Sequence, residues 1–114
     1  MSKTISDNKR IAGDPHRDLY SGCIRLHVLH HACKQAVFGL GMIEELGRHG
    51  YRISPGSLYP MLHAMEERGY LRAKTVRDGK SFRKEYRATP QGKKALKAAK
   101  KKIRELFREV VEED

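Results

Sequence analysis

The chain lacks several features that would place it in whole classes of protein. Its 114 residues include no tryptophan and only two cysteines, Cys23 and Cys33. Both lie on or beside one predicted helix, and an intrachain disulfide would require that helix to be broken, so we expect reduced thiols. No apolar run approaches the roughly 18 residues of a membrane-spanning helix. Residues 1–10 lack the apolar segment of a signal peptide, and we therefore expect a cytoplasmic protein without membrane contact.

Acidic side chains are few relative to basic ones. Lys and Arg number 24 against 14 Asp and Glu, which gives a formal net charge of +10. This excess favours binding to a polyanion, with nucleic acid ahead of an anionic membrane surface. With 39% hydrophobic residues, one domain of this length builds only a modest core, so dimerisation is an expected way to bury more apolar surface.

Catalytic motifs are absent as well. The sequence has no Gly-rich phosphate loop, no GxSxG and no pair of aspartates at working spacing. Gly39 and Gly41 do not follow the strand that a dinucleotide site needs. We predict that the chain is not an enzyme and carries no cofactor.

The strongest pattern in the chain lies between residues 54 and 69. Ser54 followed by Pro55 is typical of a helix start, with the serine hydroxyl as cap, and Gly69 is typical of a helix end. Apolar residues recur at i, i+3, i+4 and i+7, namely Leu58, Met61, Leu62 and Met65. The opposite face is slim and polar, which suits entry into a DNA groove, although an ordinary amphipathic helix has the same pattern.

Five residues of this helix are the predicted DNA contacts. The hydroxyl groups among them can donate to phosphate oxygens near the N-terminus of the helix. The histidine can donate to guanine or to phosphate, and the proline ring can contact the methyl group of thymine. These residues are Ser54, Ser57, Tyr59, Pro60 and His63. The alternative for Tyr59 is packing beneath the hairpin that follows.

Two helices are predicted before this one, over about 18–33 and 37–48. Leu19 is counted in the apolar face of the first, and residues 51–53 are an extended link consistent with one small strand. Residues 1–17 are predicted to be a flexible arm. Contact of this arm with DNA through its basic residues is one interpretation, and terminal disorder without function is the other.

A β-hairpin is predicted after Gly69, because two alternating segments flank Asp78 and Gly79. Residues 72–87 contain seven Lys or Arg against two acidic residues, a local excess of +5. Such a ribbon is suited to binding phosphates, and the predicted contacts are Lys80, Arg83 and Lys84. The alternative is a hairpin whose charges only protect its edges from aggregation.

One long helix is predicted from Pro90 to about Glu112, with Thr89 as its cap. Its apolar residues are spaced three and four apart, close to a coiled-coil seam, and we expect them to bury against a second copy of the chain. The predicted dimerisation residues are Leu96, Ile103, Leu106, Phe107 and Val110. Residues 90–114 are therefore assigned to a dimerisation helix and residues 18–89 to a DNA-binding domain.

Cysteine and histidine residues cluster in the first helix. Cys23 with His27, and His27 with His31, are i, i+4 pairs that could share a metal ion from one helical face. No CxxC or HExxH spacing supports a metal site, and no nearby carboxylate supplies a further ligand in the sequence. Ordinary interface histidines are the favoured interpretation, so no metal is predicted.

Together these elements form a mainly α protein with a small β-hairpin, in the winged helix-turn-helix layout with a long C-terminal helix. Ser54–Leu62 and Met65–Leu71 resemble the hallmark segment of the PadR-like transcriptional regulators. Phe38–Ile43 resembles the second helix of that family, and Arg83–Gly92 resembles its junction between wing and helix. The resemblance covers about residues 19–96, and Glu85 departs from the aromatic or neutral residue that is usual there.

The resemblance implies a homodimeric repressor that binds double-stranded DNA, with the third helix in the major groove and the wing on the backbone. It also implies a small-molecule effector near the dimer interface. A winged-helix module that binds protein or RNA without specific DNA binding is the main rival, and a dimer that only sequesters a small molecule is a weaker one.

Overall fold

A computed structural model describes residues 14–113. Most of the predicted N-terminal arm, including Lys3, Lys9 and Arg10, lies outside the described residues. The elements in chain order are α1 (Arg17–Lys34), α2 (Gly39–Arg48), α3 (Pro55–Glu67), β1 (Leu71–Asp78), β2 (Ser81–Ala88) and α4 (Pro90–Phe107). A π-helical turn, Arg108–Glu112, continues α4. The predicted fold class, mainly helical with one antiparallel hairpin, is confirmed.

The core lies where α1, α2 and α3 meet the base of the hairpin. All four apolar residues of the α3 pattern are buried, as predicted, and Leu58 and Leu62 are completely inaccessible to solvent. They pack with Val28 of α1 and Leu46 of α2 in one cluster. The apolar face predicted for α1 is wrong at its start, because Leu19 is 73% exposed. That position lies in the first turn of α1, ahead of the buried residues.

The hairpin has a regular register from Leu71 opposite Ala88 to Asp78 opposite Ser81. A two-residue turn joins the strands, and Gly79 in this turn has a φ of 66°, a conformation that glycine adopts readily. Residues 72, 74, 76 and 78 share one face with residues 81, 83, 85 and 87, and the other face carries residues 82, 84 and 86.

Val37 adds a short bridge to the edge of the hairpin. Its N–H donates to the carbonyl of Tyr86 at 2.9 Å, and the N–H of Tyr86 donates back at 2.7 Å. Because this backbone is extended, α2 begins at Gly39 and not at the predicted residue 37. Residues 51–53 form no strand, so the predicted location of the small strand is wrong.

Hydrogen bonds join the end of α3 to the start of α4. Gly69 has a φ of 87° and ends α3, as predicted. Thr89 accepts a hydrogen bond from the N–H of Gly92 at 2.9 Å, which confirms it as the cap of α4, and its hydroxyl donates to the carbonyl of Gly69. These bonds fix α4 against the segment that follows α3.

Candidate DNA interface

The exposed face of α3 carries the residues predicted to contact DNA. Tyr59, Pro60 and His63 are exposed, while Ser54 and Ser57 are half-buried. Ser54 occupies the N-cap position of α3, as predicted, but the predicted cap through its hydroxyl is wrong: the hydroxyl donates to the hydroxyl of Ser57 at 3.4 Å and not to the helix backbone. The N–H groups of Ser57 and Leu58 donate instead to the backbone carbonyl of Ser54, at 3.0 and 2.9 Å.

Tyr59 connects α3 to α2. Its ring lies directly over Gly39, where a Cβ atom would overlap with it. This contact explains the glycine at the start of α2, and it leaves Tyr59 itself 42% exposed. Burial raises the pKa of Tyr86 in the hairpin, and the charges of Glu66 and Tyr59 raise it further.

His63 lies one turn further along α3 and has a neighbouring carboxylate. Its Nε2 is 3.4 Å from Oε2 of Glu67, and both side chains are more than 60% exposed, at 63% and 71%. An i, i+4 pair this exposed contributes little to stability. The histidine therefore remains free to contact a groove, while the carboxylate marks the end of the surface that suits DNA.

Two arginines that are not among the predicted DNA contacts lie beside this face. Arg17 and Arg25 on α1 border an open groove of about 350 Å³ together with Ser57 and Pro60 of α3. They are eight residues apart and so share a helical face, with Ser21 between them. That i, i+4, i+8 spacing is visible in the sequence, but only the packing of α1 on α3 shows which surface it borders.

The hairpin places its basic residues in two different environments. Lys80 and Lys84 are exposed, the first in the turn and the second on the face of Tyr86. Arg83 lies on the opposite face, and its guanidinium sits 3.8 Å from the centre of the Phe38 ring. Its Nη1 is also 3.4 Å from Oδ2 of Asp78. Arg83 is thus held by the protein, whereas the two lysines are free to meet phosphates.

The predicted dimerisation residues divide into two groups. Leu96 is only 8% exposed and packs in the core of its own chain, so it is not available to a partner. The other four predicted residues, Ile103, Leu106, Phe107 and Val110, are between 41% and 60% exposed, and Val111 beside them is 55% exposed. They form an apolar stripe that no described residue of this chain covers.

The metal candidates of α1 are rearranged by the fold. His27 and His31 meet His49, which follows α2, and the ligand atoms of the three lie within 4.8 Å of one another. Cys23 is not in this group and instead lies near Tyr51, whose pKa is raised by burial and by this cysteine. The expectation that no carboxylate is near was wrong, because Glu45 on α2 lies 3.1 Å from His49.

Charge and burial affect this histidine group. Burial lowers the pKa of His27, and the neighbouring His49 and His31 lower it further. Desolvation acts to raise the pKa of Glu45, but the hydrogen bond from His49 and the charges of His31 and Arg48 bring it below its usual value. His27 therefore favours the neutral form and Glu45 the ionised form.

Comparison with known proteins agrees with this architecture. The model of the transcriptional regulator PadR-like family matches residues 28–98, which cover α1 from its middle, the rest of the winged helix and the first half of α4. The chain belongs to the PadR-like family of transcriptional regulators. The resemblance noted from residues 38–43, 54–71 and 83–92 is confirmed.

Relatives of this PadR-like regulator share both sequence and structure with it. Transcriptional regulator Rv3488 of Mycobacterium tuberculosis is 47% identical over 96 residues, which are 83% of this chain and 89% of the relative. A PadR family regulator from Eggerthella lenta has 27% identity and a TM-score of 0.74, with 82% of each chain covered. A PadR-like regulator from Bacillus cereus shares the fold at 23% identity and a TM-score of 0.72, with 82% of this chain and 92% of that chain covered.

Within residues 14–113, no helix combines the length and apolar character needed to cross a membrane.

Proposed function

We propose that this PadR-like regulator binds specific sites in double-stranded DNA as a homodimer, with α3 in the major groove and the hairpin as a wing on the phosphate backbone. The observation that carries the proposal is that α3 and the hairpin meet at one place. Tyr59 of α3 covers Gly39, and the adjacent Phe38 supports Arg83 of the hairpin. The exposed face of α3 and a basic face of the hairpin therefore border the start of α2.

The basic residues have different roles in this proposal, according to whether they are exposed or held by the protein. Lys80 and Lys84 are the phosphate contacts and supply affinity without sequence preference. Arg83 holds the hairpin against Phe38, so that the lysines keep their position relative to α3. Arg17 and Arg25 add positive charge on the other side of α3. Sequence preference comes from the exposed side chains of α3, with His63 and Pro60 the residues that reach bases.

Dimerisation rests on the apolar stripe of the tail. Burying Ile103, Leu106 and Phe107 against a second copy removes apolar surface from water and gives the assembly two copies of α3. Two-fold symmetry then requires half-sites about one helical turn apart in a near-palindromic site. Occupation of such a site in a promoter blocks transcription, so the regulator acts as a repressor. In this proposal it works in the cytoplasm and is not an enzyme.

A small effector would release the DNA by changing the separation of the two copies of α3. An open groove of about 470 Å³ runs between Cys33 and the basic first half of α4, next to the proposed dimer contact. A ligand that prefers one arrangement of the tails shifts the dimer toward that arrangement, and a rigid pair of helices then no longer fits both half-sites.

Selection of bound fragments from genomic DNA tests the proposal. We expect recovery of a near-palindromic site that the protein prefers over random duplex by at least about 10³. Equal binding of the selected site, random duplex and random RNA would instead identify a nucleic-acid- or protein-interaction module without specific DNA binding.

A further inference from the structure

We propose that His27, His31 and His49, together with Glu45, form a binding site for a transition-metal dication such as Zn²⁺. The site rests on the geometry of the described residues alone and does not depend on DNA binding. It lies between α1 and the end of α2.

The three imidazoles already lie close to the arrangement that a metal ion requires. Their ligand atoms are within 4.8 Å of one another. In a tetrahedral site with Zn–N bonds of about 2.0–2.1 Å, ligand nitrogens are about 3.3 Å apart. Rotation of the side chains can bring the nitrogens to this separation, since the His31 and His49 side chains are 24% and 43% exposed and therefore have room to move.

His49 makes the largest movement. Its ring is stacked on that of His27, with centroids 4.6 Å apart and planes inclined by 24°. Rotation of the exposed His49 ring out of this stack turns a nitrogen toward the shared centre, and the backbone stays in place. His27 and His31 are one turn apart on α1 and already project to the same side.

Glu45 completes the donor set. Its Oε2 lies 3.1 Å from Nε2 of His49 and 3.5 Å from Nε2 of His31. Arg48 holds the other oxygen, Oε1, at 2.6 Å, so the carboxylate is oriented with one oxygen toward the histidines. This oxygen is placed either to bind the ion as a fourth ligand or to accept from a ligating imidazole, the two roles that carboxylates play in such sites.

The chemistry of these donors selects the metal class. Three imidazole nitrogens and one carboxylate oxygen suit Zn²⁺, Ni²⁺ or Co²⁺, whereas Mg²⁺ and Ca²⁺ prefer sites made of oxygen. An ion held here would tie α1 to the segment that connects α2 to α3. Tyr51, which contacts His27 with ring centroids 5.3 Å apart, lies in that segment.

Metal titration of the whole chain, purified without a polyhistidine tag, tests the site. We expect one Zn²⁺ per chain by calorimetry and an upward shift in the thermal midpoint, because the ion binds the folded state. Bound Co²⁺ should give the intense visible absorption of a four-coordinate site. A stoichiometry well below one, or binding with no thermal shift, would overturn the proposal.

Matched variants identify the ligands. His49→Ala and His31→Ala should abolish the Co²⁺ absorption, and Glu45→Gln should weaken Zn²⁺ binding by about 10- to 100-fold. His16→Ala is the control, because His16 is an exposed histidine ahead of α1 and outside the trio. Circular dichroism without metal confirms folding of each variant. If His16→Ala lost as much metal binding as the ligand variants, or if His49→Ala bound metal as well as the wild-type protein, the metal would be held by surface histidines in general and the proposal would fail.

Discussion

Removing the two free lysines of the wing should reduce the salt dependence of DNA binding by a calculable amount. Lys80 and Lys84 are exposed, and each can neutralise one phosphate. Each lost phosphate contact lowers the slope of log affinity against log salt by about 0.9, so Lys80→Ala with Lys84→Ala should lower it by about 1.8. Between about 50 and 200 mM salt, this difference makes the wild-type protein lose about tenfold more affinity than the variant.

Fluorescence anisotropy with a labelled operator and with random duplex measures both slopes. We expect equal weakening for the two DNAs, because phosphate contacts carry no sequence information. The control is Lys101→Ala with Lys102→Ala, which removes the same charge from exposed positions on the tail. If the tail variant lowers the slope as much as the wing variant, net charge and not the wing explains the affinity. An unchanged slope in the wing variant would remove the wing from the interface.

The remaining predictions concern stability and assembly. Gly92→Ala should lower the free energy of unfolding by about 1–3 kcal/mol, because the new Cβ would overlap with the backbone carbonyl of Tyr70. Gly47→Ala should raise it by up to about 1 kcal/mol, because nothing lies near the new Cβ and alanine favours the helix. Urea unfolding measures both values. Arg83→Ala should lower the free energy of unfolding by about 0.5–1 kcal/mol, because it removes the contact with the Phe38 ring. A double-mutant cycle with Phe38→Leu should show that the two losses are coupled, and strictly additive losses would contradict this contact. Phe107→Asp should raise the dimer dissociation constant at least about tenfold in analytical ultracentrifugation, since it buries a charge in an apolar contact, and an unchanged constant would exclude the tail as the interface.

Local signals in the sequence predicted most of the fold. Pro55 and Pro90 start helices because proline fixes its own φ near the helical value. Gly69 ends a helix and Gly79 turns the hairpin because glycine readily adopts the positive φ that both positions require. The buried face of α3 also followed directly from its spacing. These features depend on neighbours in the chain, which a sequence displays.

The errors arose where distant segments decide the outcome. Val37 is extended because β2 pairs with it, and nothing within residues 34–39 shows that partner. One error is local, because the hydroxyl of Ser54 bonds to Ser57 three residues further on and not to the helix backbone. Leu96 fits the tail stripe by spacing, yet the core of its own chain covers it.

The candidate sites show the same division. The exposed face of α3 was predicted from its own pattern, whereas Arg17 and Arg25 were missed because they lie on α1. The histidine group was predicted in part, as His27 and His31 share a helix. His49 and Glu45 join it only through the packing of α2 on α1.

The central claim is that α3 lies in the major groove of two half-sites at once. Dimethyl sulfate methylates guanine N7, which faces that groove, so protection from methylation on a selected operator measures this contact directly. We expect two symmetric patches of protected guanines about 10–10.5 base pairs apart on one face of the duplex, and loss of the protection when Pro60 and His63 are both replaced by alanine. Retention of affinity with no guanine protected, or protection in a single patch, would contradict the account.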